Sequence, residues 1–266
     1  MLKQRVITAL VLLVIFLLVL FRLPASGAVI AFAVIAALGG WEWGRMMSSN
    51  PTGFAASQLI FPAWILLCCG LCWIYPQLQL PACILASMLW LIAPVWLGKR
   101  WPIRGNVIAW VIGSVLIVPT WIAMTRLHAQ GPWVLLAAMA LVWVADIAAY
   151  FVGRAFGRHK LAPAVSPGKT WEGAAGAVVG GLVYVFALRH FGQLAMSMPV
   201  VAIVLATVLL VAISIVGDLF ESLIKRQSGV KDSSQLLPGH GGVLDRIDSL
   251  TSTLPVLIAV TGLWAI

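Results

Sequence analysis

Charge is scarce in this chain, and negative charge is scarcest. Its 266 residues include 17 Lys and Arg but only 8 Asp and Glu, so 9% are charged. Soluble domains carry about 25%. With 62% of residues hydrophobic and a mean hydropathy of +1.05, a soluble fold would have too little polar surface to stay dispersed. Long polar linkers are also missing, which excludes two independent domains and predicts one integral membrane domain over residues 1–266. Cysteine is scarce too: Cys68, Cys69, Cys72 and Cys83 all lie in apolar segments. The Cys69-x-x-Cys72 spacing has no His or acid nearby, so these read as helix-packing thiols and not as a redox or metal site.

What the chain has in abundance is apolar runs long enough to cross about 30 Å of hydrocarbon. They fall at Ile7–Leu23, Ala28–Trp43, Leu59–Tyr75, Ala82–Leu97, Val107–Met124, Trp133–Val152, Ala174–Leu188, Val200–Val216 and Leu250–Ile266. The expected fold class is therefore all-α, a polytopic bundle of about nine transmembrane helices. Leu23-Pro24, Asn50-Pro51, Tyr75-Pro76, Gly131-Pro132 and Met198-Pro199 mark breaks between runs. The basic start and apolar core of the N-terminus mimic a secretory signal. The core is long and further spans follow, so it reads as a retained first helix.

A net charge of +9 suggests nucleic acid until its distribution is followed. Nine spans with the N-terminus inside put Lys3, Arg5, Arg45, Lys99, Arg100, Arg104, Arg154, Arg158, Lys160, Lys169, Lys225, Arg226, Lys231 and Arg246 on the inner side. Only Arg22, Arg126 and Arg189 fall outside. Such a split follows the positive-inside rule and predicts a cytoplasmic N-terminus. Glu42, Glu172, Asp218, Glu221, Asp232, Asp245 and Asp248 fall inside or at the inner boundary, and none of the acids faces outside. Acids contribute little to topology, so their clustering points to a site on the inner face.

The stretch from Asp218 to Asp248 holds nine of the twenty-five charged residues and five of the eight acids. If the eighth span continues as helix past Val216, Asp218, Ser222 and Lys225 share a face, and Glu221 stands four before Lys225. Asp245 and Asp248, three apart, share a face on a helical turn. Two readings fit these spacings. The carboxylates hold a divalent cation that receives a phosphate, or they pair with Lys and Arg in a salt-bridged loop. Asp146 favours the first. A carboxylate inside a span costs about 2.5–3.5 kcal/mol on insertion scales and marks a functional site by default. Its helix face continues through Ala149, Tyr150 and Gly153.

Pro238-Gly239-His240-Gly241-Gly242 is a glycine-rich turn between the acidic clusters, suited to close approach of a phosphate. His240 there is either a general base or a residue that orients the loop by hydrogen bonding; the second is favoured. The stretch Ser166-Pro167-Gly168-Lys169-Thr170-Trp171-Glu172-Gly173 ends like a P-loop, but Pro163 stands where such a loop needs Gly and no strand is expected before it. Lys169 remains a phosphate-gripping candidate. Gly176-x-x-x-Gly180 reads as close helix packing.

In these motifs the sequence resembles the CDP-diacylglycerol synthases, also called phosphatidate cytidylyltransferases. The family pattern S-x-x-K-R-x4-K-D followed by P-G-H-G-G-x-x-D-R-x-D is matched by Ser222, Lys225, Arg226, Lys231, Asp232, Pro238 to Gly242, Asp245, Arg246 and Asp248. Asp146-x-x-Ala149-Tyr150 and Ser166–Gly173 are similar as well. Clear resemblance covers 141–250, with the site in 218–248; the first half is similar only in its spans. Ile147 and Ser234 depart from the residues common in relatives.

The resemblance implies an enzyme of phospholipid biosynthesis that converts CTP and phosphatidate to CDP-diacylglycerol and pyrophosphate, with Mg2+, a second cation and a homodimer. It places the protein in the cytoplasmic membrane if bacterial, with its active site facing the cytoplasm. CTP would arrive from the cytoplasm and phosphatidate laterally from the inner leaflet. On this reading Asp218, Asp245 and Asp248 hold cations, and Asp146 supports them. Lys169, Lys225, Arg226, Lys231 and Arg246 neutralise phosphates. Ser222, Asp232, His240, Gly241 and Gly242 complete the substrate contacts. Phosphatidate is already anionic, so no base is needed and His240 is discounted as one. A CTP-dependent lipid kinase and an anionic-lipid transporter are the competing readings. The motif of CDP-alcohol phosphotransferases is absent.

Overall fold

A computed structural model describes residues 2–48, 56–103, 106–192 and 199–261. The Asn50-Pro51 break, Arg104, Met198 and the end of the ninth span past Thr261 lie outside the described residues. Nine α-helices are found among the described residues: α1 (Leu2–Arg22), α2 (Ala25–Met46), α3 (Ser57–Ile74), α4 (Gln79–Lys99), α5 (Asn106–Gln130), α6 (Pro132–Phe156), α7 (Trp171–His190), α8 (Val200–Gln227) and α9 (Leu244–Thr261). All nine expected runs correspond to helices. Seven of them, α2 to α8, are long and apolar enough to cross a bilayer. Their outward faces are apolar, with Leu91 71% and Val107 77% exposed, which suits lipid contact. The chain is an integral membrane helix bundle.

Boundaries follow local chemistry. Pro76 and Pro132 sit in the first turns of their segments, where a missing N–H is harmless. The helix α8 has 28 residues, about 42 Å at 1.5 Å per residue. That exceeds the hydrocarbon thickness, so its charged end from Asp218 stands beyond the apolar layer.

A short antiparallel hairpin, β1 (Lys160–Ala162) and β2 (Ser166–Thr170), joins α6 to α7. This corrects the expectation that no strand precedes Gly168: cross-strand pairing forms the hairpin even though Pro167 and Gly168 are poor strand formers. Thr170 then caps α7, its hydroxyl accepting from the Gly173 N–H at 3.1 Å.

Small residues set the closest packing. A Cβ at Gly176 would collide with Val152, and one at Gly180 with Ala148, so α7 lies tight against α6, as the glycine spacing predicted. Gly217 lies against Ser252 and the Asp248 carbonyl, which draws α8 onto α9. The helix α9 is polar for a buried element. Three of its hydroxyls donate to carbonyls: Thr251 Oγ1 to Asp248 at 2.7 Å, Thr253 Oγ1 to Ser249 at 2.7 Å, and Ser252 Oγ to Ile213 of α8 at 3.0 Å, while Ser249 Oγ is buried without a partner among the described residues. The four cysteines are free thiols, three of them buried.

Candidate active site

The helix α6, the hairpin, α7, the end of α8 and the start of α9 enclose a polar cleft of about 590 Å³. Asp146, Lys169, Asp218, Lys225, Asp232, Asp245, Arg246 and Asp248 line it, along with Arg154 and Tyr150. Residues more than seventy positions apart are thereby brought together, including the Asp146, Ala149, Tyr150 and Gly153 face read from the sequence.

Each carboxylate has a different environment. Lys169 Nζ lies 2.6 Å from Asp218 Oδ2, across the cleft from hairpin to α8. Ser222 Oγ reaches the other Asp218 oxygen at 3.3 Å, one turn on. Lys225 is buried and lies 2.6 Å from Asp245 Oδ1 and 3.1 Å from Glu221 Oε1. Asp245 Oδ2 accepts from the Ser233 N–H at 2.9 Å and the Gly242 N–H at 2.8 Å, with the Ser233 hydroxyl 3.0 Å away. Among the described residues the side chain of Asp248 accepts from the N–H of its neighbour Ser249 alone, at 2.7 Å.

Asp245 and Asp248 precede the apolar part of α9 and lie outside the seven spans, and their acidities diverge. Burial raises the Asp245 carboxyl, but the Lys225 hydrogen bond, the Gly242 N–H, the Lys225 charge and the Ser233 N–H together hold it below the usual carboxylate range. Burial, and then the Asp218 charge, push the Asp248 carboxyl well above that range. Asp245 is compensated; Asp248 is short of positive charge. Among the described residues, no three acidic, His or Cys side chains already converge as a cage for a metal ion.

Several expected site residues lie elsewhere. Lys231, His240 and Gly241 line a neighbouring loop cavity with Asp232 and Arg246, and not the cleft itself. Arg226 is exposed and lines neither cavity. One step along a helix turns a side chain by about 100°, so Lys225 faces inward and Arg226 outward. Among the described residues His240 Nδ1 is buried without a hydrogen-bond partner, and its backbone N–H donates to the Leu237 carbonyl at 2.8 Å.

The glycines also serve a purpose the sequence did not reveal. Gly241 has φ +78, and a Cβ there would press on Asp245. A Cβ at Gly242 would overlap Glu42 and Ser233. These two glycines thus make room for carboxylates. Glu42 and Glu221 were counted among the inner-side acids, Glu221 as the residue four before Lys225, but neither was assigned to the site. The signal was present, since Glu42 lies in the apolar run Ala28–Trp43 as Asp146 lies in another, but no local motif ties it to the distant loop.

The cytidylyltransferase family pattern matches residues 3–264. The phosphatidate cytidylyltransferase of Pseudomonas aeruginosa is 41% identical over 281 residues, covering 100% of this chain and 98% of that protein. That of Haemophilus influenzae is 38% identical over 288 residues, covering 96% of each. That of Bacillus subtilis is 40% identical over 144 residues, covering 54% of this chain and 53% of its own. The similarity thus extends through the N-terminal half, where motifs alone showed only a matching pattern of spans.

Proposed function

The chain belongs to the cytidylyltransferase family, and from that membership we propose that it joins CTP to phosphatidate, leaving CDP-diacylglycerol in the bilayer and releasing pyrophosphate. The observation that carries this reading is a pair of adjoining spaces. The polar cleft suits a nucleotide triphosphate. Beside it, an apolar groove of about 730 Å³ runs between α4, the hairpin, α7 and α8. Leu161, Ala174 and Ile215 line both, so a lipid in the groove would present its headgroup to the cleft.

The phosphatidate phosphate is anionic near neutral pH. One of its oxygens attacks the α-phosphorus of CTP, and the bond from that phosphorus to the bridging oxygen of the β-phosphate breaks. No proton must be removed first, which accords with His240 lying outside the cleft lining. The barrier is the approach of two anions and the departure of a third. Arg154, Lys169 and Arg246 supply positive charge around the cleft. Lys169 would exchange Asp218 for phosphate on substrate binding. Lys225 serves as the internal counter-charge of Glu221 and Asp245.

The donor set fits a divalent cation such as Mg2+. Asp146, Asp218 and Asp248 offer hard oxygens to one cleft, and at Asp248 the nearby Lys225 and Lys169 charges do not offset burial and the Asp218 charge. These three would hold it, and Asp245 would join them by releasing Lys225. Bound there, it would neutralise triphosphate charge and polarise the α-phosphorus. The cytoplasmic placement of the cleft rests on the lopsided distribution of Lys and Arg among the loops.

Purified protein in detergent, given phosphatidate, Mg2+ and CTP labelled at the α-phosphate, should yield labelled lipid and unlabelled pyrophosphate. Chelating Mg2+ should stop it. Label entering lipid only from γ-labelled CTP would instead establish a lipid kinase, and no product with any nucleotide would favour a transporter.

A further inference from the structure

Glu42 sits on α2, fully buried, and the donors that satisfy it come from the other end of the chain. Its Oε1 accepts from Ser234 Oγ at 2.6 Å and the Val243 N–H at 2.8 Å. Its Oε2 accepts from Ser233 Oγ at 2.9 Å and the Leu244 N–H at 2.7 Å. Four uncharged donors thus fill a carboxylate's roughly four acceptor sites. A buried carboxylate is tolerated only when so satisfied. Ser233 and Ser234 open the glycine-rich loop; Val243 and Leu244 close it at the start of α9. Glu42 therefore clamps both ends of that loop to a span about two hundred residues away in sequence.

Two further observations tie the clamp to the cleft. Gly242 lacks a side chain where any Cβ would overlap Glu42 and Ser233, so the loop is shaped around this carboxylate. The Ser233 hydroxyl lies 2.9 Å from Glu42 and 3.0 Å from Asp245, yet it has one proton to give. When it donates to Glu42, Asp245 is left with N–H donors and Lys225. Glu42 can thus hold the loop while Asp245 changes partners.

We infer that Glu42 is a positioning residue for cytidylyl transfer, acting through Ser233 and the first turn of α9 to fix Asp245 and Asp248 opposite Asp218. This rests on the cytidylyltransferase reading of the cleft. It makes no contact with substrate: Glu42 does not line the cleft.

The test compares wild type, Glu42→Gln and Ser233→Ala as purified, detergent-solubilised protein. Gln keeps the shape but points an amide N–H2 at groups that are themselves donors. CTP-binding stoichiometry counts intact sites, and kcat is expressed per site. Glu42→Gln should lose at least tenfold in kcat per site, with both KM values within about threefold of wild type. Deuterium uptake should rise over 232–244 and stay unchanged in α8. Ser233→Ala should give a smaller kcat loss in the same direction. Unchanged kcat per site in Glu42→Gln overturns the inference. If that variant loses its CTP sites altogether, Ser233→Ala decides, and full kcat there overturns it. If wild type itself makes no CDP-lipid, the cytidylyltransferase reading fails, and the inference with it. Deuterium uptake over 232–244 then separates the two parts: a rise in Glu42→Gln keeps the clamp without its catalytic purpose, and no change removes the clamp as well.

Discussion

Lys225 and Arg226 are adjacent and both were expected to meet phosphate, but their surroundings give them opposite weights. Lys225 lies between Glu221 and Asp245, with 10% of its side chain exposed. Removing it leaves two enclosed carboxylates without their cation, a change that typically costs about 3–5 kcal/mol. Lys225→Ala should therefore lower the thermal unfolding midpoint sharply in detergent and abolish turnover. Arg226→Ala, on an exposed face, should change stability by no more than about 0.5 kcal/mol and leave kcat near wild type. An Arg226→Ala variant as damaged as Lys225→Ala would place Arg226 in the cleft after all. Residue identity and spacing were enough to collect Asp146, Lys169, Asp218, Asp245 and Asp248 as candidates. They were not enough to say which charges are spent inside the protein. That depends on partners such as Ser233 and Glu42, whose contacts cross more than a hundred residues and leave no local pattern.

At the scale of elements, the cleft depends on how closely helices approach. The helix α6 carries Asp146 and α7 begins beside Lys169, so their spacing sets the distance between those groups. Gly176 fixes it, since a side chain there meets Val152. Gly176→Val should destabilise by about 1–3 kcal/mol through overpacking and reduce activity by displacing Asp146 from Lys169. Gly70 on α3 provides the control: nothing lies within 4 Å of a Cβ built there, so Gly70→Ala should be neutral or slightly stabilising. Thermal inactivation of the two variants measures the contrast. The helices were legible because lipid-facing spans must be continuously apolar, and the packing glycines because their spacing of four places them on one face. The hairpin was not legible. Two strands of three and five residues with Pro167 and Gly168 inside carry no alternating pattern, and only the antiparallel pairing of Lys160 with Thr170 and Ala162 with Ser166 reveals them.

For the molecule as a whole, the proposed reaction requires the bundle to bring a water-soluble triphosphate and a membrane-bound lipid to one point. The apolar groove bounded by α4, α7 and α8 offers the lipid a way in without leaving the bilayer, because its lining is shared with the cleft at Leu161, Ala174 and Ile215. A second apolar hollow, of about 490 Å³, lies between α1, α2, α6 and α9 and meets the cleft lining only at Arg246. If acyl chains occupy the first, then Val178→Trp or Ala212→Trp, filling that groove away from the cleft, should raise the KM for long-chain phosphatidate about tenfold or more. The KM for CTP should stay within twofold, since no nucleotide-facing group moves. A dihexanoyl phosphatidate, too short to reach the filled part, should be affected far less. Leu12→Trp in the second hollow should leave both constants unchanged. The reverse pattern, with Leu12→Trp selective against long chains and the other two silent, would move the lipid to the α1 side and make Arg246 its point of entry to the cleft.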